Sequence, residues 1–282
     1  MASATVINSG FFKLDGGAMF GVVPKQLWVK QNPADDNNMC TWAMRCLLVD
    51  EGDRKILIDT GIGHKQSDKF KSHFSPKNII DFEQDLDQYN LSHEDITDVL
   101  LTHLHFDHAG GALSMDKKGN IIPAFPNARV WTNDYHYKWA TEPNERERAS
   151  FLKENILPLA DLQLLHFTEL GNEVRFSRTI TLDYVYGHTG AMMIPTIELG
   201  SGKKIIFCAD LLPSSFHVGL PYVMAYDVQP LLTLKEKEEL YEKACNDDTF
   251  LFTEHDPLTN YIRIEKNEQG RVVLRDRMDF ID

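Results

Sequence analysis

The sequence predicts a single α/β domain, on three observations. Short apolar strands bounded by turn residues alternate with helical stretches along all 282 residues. No Pro-, Gly- or Ser-rich linker interrupts them, so residues 1–282 read as one domain. No internal repeat of roughly 20–50 residues sets up a solenoid or a propeller.

The elements follow in order. Ala43-Met44-Arg45-Cys46-Leu47-Leu48-Val49 and Lys55-Ile56-Leu57-Ile58-Asp59 flank Asp50-Glu51-Gly52-Asp53, a hairpin signal. Helices are expected over residues 65–73 and 78–88. Ser92-His93-Glu94-Asp95 reads as a helix cap whose short turn feeds the apolar run Asp98-Val99-Leu100-Leu101-Thr102. Further strands are expected at 128–132, 179–186, 193–198 and 204–209. A helical stretch over 133–159 carries Tyr135, Tyr137, Trp139 and Phe151. Residues 233–246 form the clearest amphipathic helix, with Leu234, Leu240 and Ala244 on the apolar stripe and Lys and Glu elsewhere. Residues 249–253 read as a fully buried strand.

Charge and cysteine usage narrow the function classes. Acidic residues outnumber basic ones 42 to 29, for a formal charge of -13. With no dense Lys/Arg run, that field repels a phosphate backbone, so nucleic acid is not an expected partner. No run approaches the ~18 apolar residues of a membrane span, and no membrane partner is expected. The N-terminus lacks the basic region and apolar core of a signal peptide. Cys40, Cys46, Cys208 and Cys245 have no CxxC spacing, which predicts reduced thiols and a cytoplasmic protein.

Histidine placement carries the chemistry. Three of the eleven histidines fall within Thr102-His103-Leu104-His105-Phe106-Asp107-His108-Ala109-Gly110-Gly111. A strand running into a loop points residues i and i+2 to one side, so His103 and His105 are placed to bind one metal ion. The turn through Asp107 and His108 adds a carboxylate and a further imidazole, and Gly110-Gly111 lets the backbone turn tightly. The plain alternative is a histidine-rich surface loop; buried Leu100-Leu101 immediately upstream argues against it. One cluster cannot complete two metal sites. Three candidates for the rest each follow an apolar strand: Gly187-His188-Thr189-Gly190, Ala209-Asp210-Leu211 and Glu254-His255-Asp256.

From Leu14-Asp15-Gly16-Gly17-Ala18-Met19-Phe20-Gly21, through Leu57-Ile58-Asp59-Thr60-Gly61 and the histidine motif to His255, the sequence resembles the metallo-β-lactamase superfamily. The resemblance implies a four-layer αββα sandwich with the metal site at the edge of the two sheets. It implies that His103, His105 and His188 hold a first metal, that Asp107, His108 and His255 hold a second, and that Asp210 bridges both. Asp59 would orient ligands without binding metal. The opening Leu14–Lys25 stretch resembles the quorum-quenching N-acyl-homoserine lactonase branch. Many relatives continue the third metal motif with Pro-Gly-His, whereas this chain reads His188-Thr189-Gly190-Ala191-Met192.

The implied cofactors are two divalent ions. Zinc suits imidazole and carboxylate ligands best, and iron, manganese or cobalt fit the same set. The implied reaction opens a small-molecule ester or lactone by attack of a hydroxide shared between the metals, with Asp107 carrying a proton to the leaving alkoxide. Asp210, Tyr222 and His217 complete the candidate catalytic set, with Tyr226 nearby in sequence. Phe11, Phe12, Phe20 and Trp28 are candidates for an acyl-chain pocket, and Tyr135, Tyr137 and Trp139 for a lid. A homodimer follows from class habit. The rival readings are an organophosphate or aryl-ester hydrolase with the same metals, and, in another class, a di-iron redox or non-catalytic metal-binding protein. A β-lactamase is disfavoured because that branch carries a cysteine where Asp210 stands.

Overall fold

The computed structural model describes residues 2–281. The chain opens with β1 (Ser3–Asp15), and two short helices, α1 (Gly16–Phe20) and α2 (Lys25–Trp28), lead to β2 (Met39–Asp50). The expected hairpin forms: β3 (Lys55–Ile58) pairs antiparallel with β2, Asp50 opposite Lys55. Helices α3 (Asp68–Phe74) and α4 (Phe82–Asp85) are shorter than the sequence suggested. The Ser92 cap forms with its reciprocal Asp95 bond and opens a single 3-10 turn before β4 (Asp98–Leu100). Then come α5 (Phe106–Ala109), a small hairpin of β5 (Leu113–Met115) and β6 (Ile121–Pro123), β7 (Arg129–Asn133), α6 (Asp134–Thr141), α7 (Lys153–Asp161) and β8 (Leu165–Thr168).

The helix expected across 133–159 is therefore two helices. Pro143 has no N–H to donate and disfavours helical backbone in the residue before it. Glu142 accordingly sits at φ -121, ψ 58, and α6 stops there.

The rest of the chain is β9 (Val174–Arg175), β10 (Ile180–Val185), β11 (Met192–Glu198), β12 (Lys204–Phe207), α8 (Pro230–Ala244), β13 (Thr249–Phe252), β14 (Tyr261–Lys266) and β15 (Val272–Met278). Helix α8 starts with Pro230 in its first turn, where a missing N–H costs nothing. Its buried face is Thr233, Glu236, Lys237, Leu240, Tyr241 and Ala244, so Leu240 and Ala244 of the expected stripe are buried and Leu234 only half so. The i, i+3, i+4 spacing is obeyed, but two of its inward positions are charged.

Two compact units result. One combines the N-terminal residues up to Phe11 with Met44–Gly171; the other combines Phe12–Ala43 with the chain from Asn172 onward. Two of the three crossings fall inside strands, β1 and β2, and the third falls in the loop between β8 and β9. A six-stranded sheet runs β1-β2-β3-β4-β7-β8 and a seven-stranded sheet runs β15-β14-β13-β12-β11-β10-β9. In the first unit β3, β4, β7 and β8 are mutually parallel, so the loops at their C-terminal ends emerge on one side. Its core gathers Ile7, Leu48, Leu57, Val99, Leu101, Leu104, Phe82 and Phe125. In the second unit β12 and β13 form a parallel pair within an otherwise antiparallel sheet.

No helix among the described residues is long and apolar enough to cross a membrane. The four cysteines are free thiols, with Cys40, Cys46 and Cys208 buried.

Candidate metal centre

In the first unit the donors gather beyond the ends of β3 and β4. Leu100 closes β4, and five residues later His105 caps the N-terminus of α5, so Asp107 and His108 lie in that helix's first turn. The rings of His103 and His105 are 4.6 Å apart between centroids and those of His103 and His108 3.9 Å. All four donors are buried. Asp107 Oδ2 is 3.9 Å from His108 Nε2.

Asp59, at the end of β3, ties this cluster down. Its carboxylate accepts from the Thr102 amide and the Thr102 hydroxyl, both at 2.7 Å, and faces His108 Nδ1 at 3.1 Å. Because the Thr102 hydroxyl donates to Asp59, its oxygen is left to accept from His103 Nδ1 at 3.1 Å. Both rings are thereby held with the proton on Nδ1 and the lone pair on Nε2. His105 is turned the other way, with its Nε2 3.5 Å from Glu147 Oε1. Glu147 is itself fixed by Trp139 Nε1 at 2.8 Å. The Gly110-Gly111 pair is needed for close approach and not for an unusual turn, since neither has positive φ. A Cβ on Gly110 would overlap the Ile62 carbonyl, and one on Gly111 the Thr60 carbonyl.

The second unit gathers three donors of its own. β10 runs into Gly187-His188, while the parallel pair β12 and β13 ends in Asp210, on a 3-10 turn, and in His255. Asp210 lies between the two imidazoles: Oδ2 is 3.0 Å from His188 Nε2 and Oδ1 is 3.1 Å from His255 Nε2. Each carboxylate oxygen thus faces a different imidazole. Here too the Nδ1 protons are committed, His188 to Asp227 at 2.8 Å and His255 to the Ala43 carbonyl at 2.7 Å. Burial alone would lower the His188 pKa, but Asp210 and Asp227 outweigh it and hold it up to about 10. Positive charge is what this buried cluster calls for. Nitrogen and carboxylate donors with fixed tautomers fit divalent cations such as zinc.

Two further candidates from the sequence lie on the segment after Asp210. His217 is fully buried and both ring nitrogens are engaged, Nδ1 with Ser214 Oγ at 2.7 Å and Nε2 with the Met19 carbonyl at 3.0 Å. Burial drives its pKa down to about 3, so it stays neutral. Its ring stacks on Phe20, 4.9 Å between centroids and 5° from parallel. Tyr222 stands edge-on to Phe20, and its hydroxyl accepts from Gln31 Nε2 at 3.4 Å. Phe20 and Trp28, offered as acyl-pocket residues, are buried and stack on each other. Tyr226 is exposed. Sequence reasoning missed Asp227 and Glu147, because a lone acidic residue in a loop carries no spacing signal.

A family model described as the metallo-beta-lactamase superfamily matches residues 45–244. The chain belongs to the metallo-β-lactamase superfamily. As a member of that superfamily with buried His/Asp donor groups, it is a metal-dependent hydrolase with the superfamily's α/β fold. It is 24% identical over 236 residues to an N-acyl homoserine lactonase of Bacillus cereus, covering 79% of this chain and 84% of that one. Among solved structures it is similar to a probable metal-dependent hydrolase from Staphylococcus aureus, at 30% identity and TM-score 0.85 over 98% of each chain. It also resembles AidC, a dizinc quorum-quenching lactonase in complex with a product, at 19% identity and TM-score 0.79 over 100% of this chain and 96% of that one. The loss of Pro-Gly-His after the third motif leaves His188 in place, with Ala191 taking a left-handed φ of 55°.

Proposed function

We propose that this hydrolase opens N-acyl homoserine lactones with a binuclear centre built from both donor groups. The observation that carries the binuclear reading is Asp210, with one oxygen on each of two oriented imidazoles. His103, His105 and His188 would hold one cation, Asp107, His108 and His255 the other, and Asp210 would bridge them. Two such cations, most simply zinc, supply Lewis acidity and a water acidic enough to attack a carbonyl at neutral pH.

The chain's own residues do the rest. Asp59, Thr102 and Asp227 keep the Nε2 lone pairs of His103, His108 and His188 aimed inward, so no reorganisation is needed when substrate arrives. Asp107 is the carboxylate placed to pass a proton to the ring-opening alkoxide. The Tyr222 phenol is the hydroxyl offered to the substrate carbonyl or amide. His217 has no lone pair or proton left to give, and serves by locking Ser214 and Met19 together. The lactone as substrate is supported by the N-acyl homoserine lactonases among the relatives.

The rival is a phosphotriester or aryl-ester hydrolase using the same metals. A panel of acyl-homoserine lactones, aryl esters and paraoxon-type triesters separates the two. Lactone opening is expected to dominate and to fall by at least about 10³-fold in Asp210→Ala. Preferred turnover of a triester without lactone opening would replace the substrate assignment, and full activity in Asp210→Ala would remove the binuclear mechanism.

A further inference from the structure

Helix α8 buries two adjacent charged residues, Glu236 and Lys237, and each holds a stretch of backbone, Glu236 beside His188 and Lys237 in the 217–222 turn. Glu236 accepts from the amides of Tyr186 and Gly187, at 2.6 and 2.9 Å, immediately before His188. Lys237 is completely buried and its ammonium donates to backbone carbonyls only. The His217 and Tyr222 oxygens lie at 2.7 and 2.9 Å, those of Gly219 and Leu220 at 3.3 and 3.5 Å. Tyr241, one turn further along α8, donates its hydroxyl to the Val218 carbonyl at 2.7 Å.

Residues 217–222 therefore turn five carbonyls toward α8. Without the Lys237 amino group those carbonyl dipoles would converge with no donor between them. The ammonium is a built-in cation that sets the shape of the turn. The turn lies in the stretch between Asp210, the candidate bridging ligand, and Asp227, which orients His188. It presents Tyr222: a Cβ on Gly219 would sit 2.9 Å from the Tyr222 ring, so the ring folds over the turn only because that position is glycine. Phe20, between the His217 ring and the edge of Tyr222, fixes the other side.

We propose that Lys237 is a positioning residue that acts through the 217–222 turn to hold the Tyr222 ring in place beside Phe20. The activity part of this inference rests on the role given to Tyr222 under the lactonase reading; the positioning part does not.

The test is a double-mutant cycle of Lys237→Met and Tyr222→Phe in the metal-loaded protein, with metal analysis and hydrogen exchange alongside. Lys237→Met is expected to lower kcat for lactone opening roughly 10- to 100-fold with bound metal unchanged. Adding Tyr222→Phe to it should cost less than about 3-fold further, because both changes remove the same contribution. The amides of residues 218–220, 222 and 223 should exchange faster in Lys237→Met while those of β10 to β13 do not. Multiplicative effects, loss of metal in step with loss of activity, or unaltered exchange in the turn would each overturn the proposal. If Lys237→Met does not fold, Lys237→Gln, which keeps two N–H donors, carries the same cycle. If the wild type opens no lactone, the lactonase reading falls and exchange in the turn alone decides for or against Lys237.

Discussion

Asp210 illustrates how much a single carboxylate can settle. Its two oxygens are 3.0 and 3.1 Å from the Nε2 atoms of His188 and His255, in surroundings dry enough that leaving them uncompensated would be costly. Each neighbouring imidazole has its Nδ1 proton committed, so the lone pairs cannot swing away. Asp227 is the more informative target for mutation, because its carboxylate accepts from His188 Nδ1 at 2.8 Å. Asp227→Ala should weaken divalent-ion affinity about 10- to 100-fold, read by competition with a chromophoric chelator. Unchanged affinity would mean that His188 needs no orienting partner. The clustered histidines themselves were legible from their spacing and strand-end placement. Asp227 and Glu147 were not, since each reaches its histidine through tertiary contact and follows no local pattern. Glu236 and Lys237 were hidden differently: an alternating Lys/Glu run on a helix reads as a solvated face, yet here two of its members point inward.

Elements place these side chains through parallel pairing. β3, β4 and β7 run side by side, so Asp59 and the His103–His108 segment leave the sheet together; β12 and β13 do the same for Asp210 and His255. At the other end of β4, Asp98 is fully buried and bonded to Arg54 Nε at 3.0 Å, Arg129 Nη2 at 2.9 Å, Trp131 Nε1 at 2.8 Å and Thr97 Oγ1 at 2.7 Å. Burial pushes its carboxyl pKa up, but those donors outweigh it and hold it below the ordinary value of 3.8. A lowered folded pKa means stability that is present above the unfolded value and lost as pH falls through the folded one. Asp98→Ala should destabilise the protein by about 3–5 kcal/mol at neutral pH, measured by urea unfolding, and should lose less than wild type on acidification. An unfolding midpoint within error of wild type would show the buried network to be neutral. Strand positions were readable from short β-branched runs. The break between α6 and α7 was readable in principle at Pro143, and was missed because the aromatic-rich stretch was taken as one periodic segment.

At the scale of the whole molecule, the two units are not consecutive pieces of chain. Each is made of two separate stretches of chain, and two of the three crossings lie within β1 and β2. Neither unit can be cut out as a single contiguous segment, so we expect one cooperative thermal transition, as the sequence's lack of a linker suggested. Metal bound only by the folded state at roughly 100 times its Kd adds about 2.7 kcal/mol, so chelation should lower the transition temperature without splitting it. Two separate transitions by calorimetry would contradict the single-domain reading. The superfamily was legible because motifs spread from Leu14 to His255 all appear in order; the substrate was not, because selectivity depends on loop geometry that no motif encodes.

The most direct test is anomalous diffraction at the absorption edge of the metal that elemental analysis finds in the purified protein. Two peaks are expected, both beside the Asp210 carboxylate, one approached by His188 and the other by His255. A single peak, or metal bound elsewhere with Asp210 uncoordinated, would contradict the binuclear centre.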